Sequence, residues 1–287
     1  MPRSGSVIAT AAFLGVGAVA VVWGPGLFAT YAASDASNTC TVTTVDAEFT
    51  LSAERADYAA TIAAVGWNRG FGDEGVTVAL ATAIQESGLL NLDYGDRDSV
   101  GLFQQRTSQG WGTIEEIMDP RYSAGKFYDT LSRIDGWNQL AVTEAAQAVQ
   151  RSGFPNAYAD HESEGRAWAE ALGGTAGAVT CDVSAAAVTT AQSLSERVAL
   201  DFPQGGYAVD VLGYEGSTTQ LGIRPPDASD QSLARLQAWS IATASTTGVT
   251  EAAVQGSQWH RDGTWTHDDP SPQWADYRGV LVGLQTS

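Results

Sequence analysis

Lysine is almost missing from this 287-residue chain: Lys126 is the only one among 15 basic residues, set against 33 acidic ones. With a formal charge of −18 and no Lys/Arg cluster, the chain offers no electrostatic footprint for nucleic acid or for an anionic membrane surface. Histidine is scarce too, at three residues, and cysteine scarcer, at two. No phosphate-binding loop, zinc spacing or Ser-His-Asp arrangement is present, so no metal and no cofactor is expected. His260 and His267, with Asp262, Asp268 and Asp269, fall in a Gly/Pro/Asp-rich stretch that reads as a hairpin loop with solvated side chains.

Long apolar runs are also absent, with one exception. After Arg3 there is no charge until Asp35, and Val7 to Trp23 is almost wholly apolar up to Gly24-Pro25-Gly26. This is the pattern of an export signal. Residues 7–29 are long enough to span a bilayer with some tilt, and Arg3 favours a cytoplasmic N-terminus. The candidate cleavage sites, Thr30-Tyr31-Ala32 and Ser34-Asp35-Ala36, match the small-residue pattern poorly, so an uncleaved anchor is favoured over a cleaved signal. Either way the rest of the chain is expected outside the cytoplasm, anchored to the cell membrane or secreted to the wall. In an oxidising compartment Cys40 and Cys181 suggest one disulfide, the alternative being two buried thiols.

The pattern predicts five segments: an anchor at 1–34, an Ala/Ser/Thr/Asp-rich tether at 35–50, a helical domain at 51–172, a flexible linker at 173–184 (GGTAGAVTCDVS) and a small α+β domain at 185–287. Helices are expected at 53–67, 75–87, 122–134, 141–151 and 162–172. Thr113-x-x-Glu116 reads as a capping box on a short turn stopped by Pro120, and Thr143 as another cap. Beyond the linker, helices fit 186–200 and 229–245, and strands fit 207–214, 218–223, 250–254 and 279–284.

Glu86 stands out within VTVALATAIQESGLL. Val76, Ala79, Leu80, Ala83 and Ile84 fall at helical spacing, and Gly88 supplies a stop, which leaves Glu86 in the last turn. A negative charge is unfavourable there, beside an apolar face and at the negative end of the helix dipole, and such a place suits a proton donor. After a loop, NLDYGDRDSV, comes Gly101-Leu102-Phe103-Gln104-Gln105.

Glu86-Ser87-Gly88, then Ser99-Val100-Gly101-Leu102-Phe103-Gln104, resembles the lysozyme-like lytic transglycosylases, whose pattern is Glu-Ser-Gly followed by Ser-x-x-Gly-Leu-Met-Gln. Here one residue rather than two separates the serine from the glycine, and Phe103 replaces Met. The stretch 144–160 is similar to that family's later Ala-Tyr-Asn-x-Gly segment, with Val149-Gln150 in place of Tyr-Asn. The resemblance covers about 52–172 and implies a mainly α lysozyme-like domain. It assigns the catalytic acid to Glu86 and places Gln104 on the cleft floor against a sugar N-acetyl or hydroxyl group, with Gln105 beside it; Ser87 and Ser99 would orient the glutamate or fix the turn.

The related goose-type lysozymes carry a Gly-Asp-Arg in this loop, which Gly95-Asp96-Arg97 resembles; that likeness makes Asp96 the candidate second carboxylate, positioning a water for inverting hydrolysis. Without it, the sugar's own 6-hydroxyl would attack and give a 1,6-anhydro product. Asp96-x-Asp98 also begins like a calcium loop, but Val100 and Thr107 occupy positions that need ligands. Among the nearby aromatics, Tyr94, Trp111 and Tyr158 are the expected sugar-stacking residues of a glycan groove.

The expected function is cleavage of the β-1,4 bond between N-acetylmuramic acid and N-acetylglucosamine in peptidoglycan, with glycan strands as substrate and the cytoplasmic membrane contacted through residues 7–29. The alternative is a non-catalytic wall-binding or scaffold protein, possible within a secretion or conjugation assembly. The C-terminal segment is similar to small α+β modules appended to some actinobacterial cell-wall enzymes and implies no activity of its own.

Overall fold

The computed structural model describes residues 38–154, 156–183, 187–267 and 276–285. All of them belong to the unit formed by residues 36–287; the proposed anchor lies outside the described residues. Among the described residues no helix is long and apolar enough to cross a membrane.

The described residues open with a hairpin, within the stretch read as a tether. Strands β1 (Thr39–Thr43) and β2 (Glu48–Ser52) pair antiparallel, and alternation buries Cys40, Val42 and Leu51 while the threonines between them face outward. Ser52 then caps α1 (Ala53–Asn68), accepting from the Arg55 amide. Helix α2 (Gly72–Ser87) follows and ends on left-handed Gly88, whose amide donates to the Ile84 carbonyl while Leu89 N–H reaches Ala83.

A short hairpin of β3 (Ser99–Val100) and β4 (Gln105–Arg106) comes next, then α3 (Ile114–Ile117), which carries the capping box read from Thr113 and Glu116. Pro120 does more than stop that turn. It occupies the first turn of α4 (Pro120–Leu131), behind the N-cap Asp119, where its missing N–H costs nothing. Helix α5 (Val142–Gln150) is held at its start by Glu144, which accepts from the Ala141 amide, and the N-cap position is Ala141, not Thr143. A 3₁₀ turn, Ala157–His161, leads into α6 (Glu162–Gly173).

The stretch read as a linker contains β5 (Val179–Asp182), which returns to pair with β1 and puts Cys181 directly opposite Cys40. The two form a disulfide, with Cα atoms 3.9 Å apart. Beyond it lie α7 (Ala191–Asp201), β6 (Ala208–Glu215), β7 (Thr218–Arg224), α8 (Asp230–Ala242), α9 (Ala244–Thr247), β8 (Val249–Val254), β9 (Ser257–His260), β10 (Trp265–His267) and β11 (Val280–Gln285). The strands build one antiparallel sheet in the order β10-β9-β8-β11-β7-β6, with α8 packed on it.

The expected architecture, a mainly α domain followed by a small appended module, is therefore corrected. The fold is α+β, with a six-stranded antiparallel sheet and a second, three-stranded sheet (β2-β1-β5) that joins the two ends of the helical region. The physical reason is visible at Asp201, which is wholly buried. One of its oxygens accepts from Arg121 Nε at 2.7 Å; the other accepts from Arg197 Nε at 2.8 Å and Trp239 Nε1 at 2.9 Å. Arg197 also reaches Asp57 at 3.1 Å. This network ties α1 and α4 to α7 and α8, and the apolar core is continuous from Cys40 to Leu284.

Candidate functional site

The site is set by the close crossing of α2 and α6. A Cβ on Gly165 would meet the Ala81 backbone nitrogen at 2.9 Å, so glycine lets the helices approach closely. That approach brings the 3₁₀ turn before α6 to the C-terminal end of α2. There the buried Tyr158 donates its hydroxyl to Glu86 Oε1 at 2.7 Å, and His161 Nε2 lies 3.0 Å from Gln85 Oε1. Glu86 itself is part-exposed. Burial raises the Tyr158 pKa above the ordinary phenol value, and the hydrogen bond to Glu86 and its charge raise it further.

The Gly101–Gln104 turn is bound to this helix end. Ser87 Oγ has the Leu102 carbonyl at 2.8 Å and the Ala83 carbonyl at 3.1 Å as acceptors for its single proton, and accepts from the Leu90 amide. From the other side, Gln150 Nε2 donates to the Phe103 carbonyl at 2.8 Å. Gln150 stands where the resembling family has Asn, and it supplies a tether that the sequence reading missed.

Other expected site residues divide sharply. Gln104 is a loop clamp: its Nε2 donates to the carbonyls of Tyr94 and Gly101, both at 3.3 Å, and its carboxamide packs so tightly on Gly95 that a Cβ there would collide. Gln105 is buried and donates to the Ser123 carbonyl at 3.0 Å, so no substrate reaches it. Ser99 is buried within the β3–β4 hairpin. Tyr158 is corrected from sugar platform to partner of Glu86, because its ring is fully enclosed. Trp111 packs half-buried against the core, whereas Tyr94 is exposed.

The loop carboxylate that is held in place is Asp98, not Asp96. Asp98 accepts from Arg106 Nε at 2.7 Å and from the Ser108 amide at 2.8 Å. These bonds hold its pKa well below the usual carboxylate range. Those partners staple the hairpin. Asp96 is 91% exposed, its carboxylate 3.8 Å from the adjacent Arg97. No group of three metal-ligating side chains is present among the described residues. His260 and His267 end neighbouring strands β9 and β10, and Asp268 and Asp269 lie outside the described residues.

Three further residues were not among the expected site residues. Glu164, three residues after His161 on α6, is half-buried; burial raises its pKa against the pull of His161 and Arg55. Arg55 lies beside Gly88, where a cation complements the helix terminus. Phe154, in the segment between α5 and Tyr158, is 77% exposed.

Comparison with protein-family models found no match for this chain, and comparison with curated proteins found none either.

Proposed function

We propose that this protein cleaves peptidoglycan glycan strands, with Glu86 as general acid. The observation that carries the reading is the Tyr158–Glu86 hydrogen bond at the end of α2, beside a turn tethered from both flanks. In this reading Glu86 protonates the glycosidic oxygen as the oxocarbenium-like centre develops. Because Asp96 is solvated and not oriented, we favour attack by the 6-hydroxyl of the same sugar, whose proton passes to the Glu86 carboxylate as the C1–O6 bond forms. The product then carries a 1,6-anhydro end. Tyr94 and Phe154, exposed on the neighbouring loops, supply apolar faces for pyranose rings.

The test is incubation of the full-length protein with purified cell walls and analysis of the soluble fragments. Release of anhydro-ended fragments that disappears with Glu86→Gln supports the proposal; no release, or undiminished release by that variant, defeats it. Reducing ends in place of anhydro ends would shift the chemistry to hydrolysis.

One observation favours a second reading, a non-catalytic wall-binding protein. Both glutamines expected to hold substrate, Gln104 and Gln105, spend their amides on backbone carbonyls. Under that reading the protein co-sediments with walls and Glu86→Gln changes nothing.

A further inference from the structure

We propose that Ser152 is a positioning residue, which holds the Tyr158 hydroxyl in its hydrogen bond to Glu86. Its effect on turnover rests on the glycosidase reading; the contact itself does not.

Ser152 lies just past α5, in the segment that leads to the Tyr158 turn. Arg151, the C-cap of α5, takes a left-handed conformation with φ 53°, which a side chain adopts where its surroundings fix it. Gln147 does so twice. Its carbonyl accepts from the Arg151 amide at 2.8 Å, and its Nε2 donates to the Ser152 carbonyl at 2.9 Å. Gln150, on the same turn of helix, is spent on the Phe103 carbonyl. The last turn of α5 thus secures both the Gly101–Gln104 turn and the Ser152 segment.

The placement of protons gives Ser152 its role. Its Oγ accepts from the Phe154 amide at 3.1 Å. A serine that accepts from a nearby amide is an ordinary loop cap, but the hydroxyl proton still needs an acceptor. The Tyr158 phenol oxygen takes it. Burial and the Glu86 contact raise the phenol pKa, and the hydrogen bond with Ser152 pulls it the other way, the sign expected of a donor to that oxygen. Tyr158 gives its own proton to Glu86 Oε1 at 2.7 Å. Each hydroxyl accepts once and donates once, so the chain runs one way, from the Phe154 N–H to the carboxylate. A hydroxyl polarised by the hydrogen bond it accepts is a stronger donor to the next group.

The far end of this chain meets substrate in the glycosidase reading. Phe154 is 77% exposed, and its amide is the first donor. A sugar that steadies Phe154 steadies Ser152, Tyr158 and Glu86 with it. Losing Ser152 should therefore fall on kcat more than on KM.

The test uses the full-length protein labelled with carbon-13 at tyrosine Cζ, the Tyr158 resonance being assigned by its loss in Tyr158→Phe. Ser152→Ala removes the donor and should move that resonance, whereas Ser152→Thr keeps a hydroxyl and should leave it near its wild-type position. An unmoved resonance in Ser152→Ala, or an equal movement in Ser152→Thr, overturns the proposal. Wall-fragment release supplies a second readout. Ser152→Ala should lower kcat about three- to tenfold, the weight of one ordinary hydrogen bond, with KM nearly unchanged. In a Tyr158→Phe background the same substitution should cost nothing more, because it acts through the phenol; additive losses overturn the proposal. If the wild type releases no fragments, the glycosidase reading fails and the resonance alone decides the role of Ser152.

Discussion

Tyr158 reaches across 72 residues of sequence to donate its hydroxyl to Glu86, and it does so from a fully buried ring. The phenol is locked by packing while the carboxylate it contacts stays part-exposed. Under the proposed chemistry, Glu86→Gln should lower wall cleavage by about 100- to 10,000-fold, the range for loss of a general acid. Tyr158→Phe keeps the ring and removes only the donor, so turnover should fall by a smaller factor with little change in KM. Fragment release kinetics read both.

The same hydrogen bond has a spectroscopic signature. The folded-state pKa of Tyr158 lies above its unfolded value, which is about 10. Its contribution to stability is therefore complete below that value and fades as pH rises through the folded pKa. In alkaline titration the wild-type-minus-Tyr158→Phe difference spectrum should show no phenolate absorbance at about pH 10. A phenolate band there would contradict the burial and the Glu86 contact.

Asp98 behaves in the opposite sense. Its folded pKa is depressed, so its contribution is present above the unfolded value, about 3.9, and disappears as pH falls through the lower folded one. Asp98→Asn should therefore narrow the acid stability of the β3–β4 hairpin. The readout is amide exchange at Ser108, whose N–H is held by that carboxylate, measured on either side of about pH 4.

Removing the charge at Asp201 leaves Arg121, Arg197 and Trp239 facing a gap. Loss of one member of such a buried set costs about 3–5 kcal/mol. Asp201→Ala should reach that range in urea denaturation. The transition should remain single, because the network joins the helical half to the sheet. Two separate transitions would show instead that the halves unfold independently.

Phe154 and Tyr94 bury little. Their removal should therefore alter stability by about 0.5 kcal/mol at most, as for other surface substitutions. If they carry sugar rings, Phe154→Ser should raise KM for wall fragments and leave the thermal midpoint in place. An unchanged KM would remove Phe154 from the groove.

How much of this was legible in the sequence depended on side-chain periodicity. Helix α2 and its Gly88 stop were readable because apolar residues recur at helical spacing and glycine suits the left-handed cap. Strands β1 and β2 were not, because threonine takes every other position in β1 and the segment reads as a polar tether. The glycines before β5 concealed a strand whose partner lies some 140 residues earlier. Glu86 was singled out by its local setting, but nothing local separates Asp98 from Asp96 or shows that Gln105 points inward. Those distinctions come from Arg106, Ser108 and Ser123, brought close only by the fold.

The cross-strand bond between Cys40 and Cys181 makes the intervening chain, α1 through α6, a covalent ring with Glu86 inside it. A protease cutting one exposed loop, such as the one around Tyr94, would linearise that ring without releasing a piece. The nicked protein would migrate as one chain until a reductant is added, then separate into two. In this way the protein would outlast its first cut.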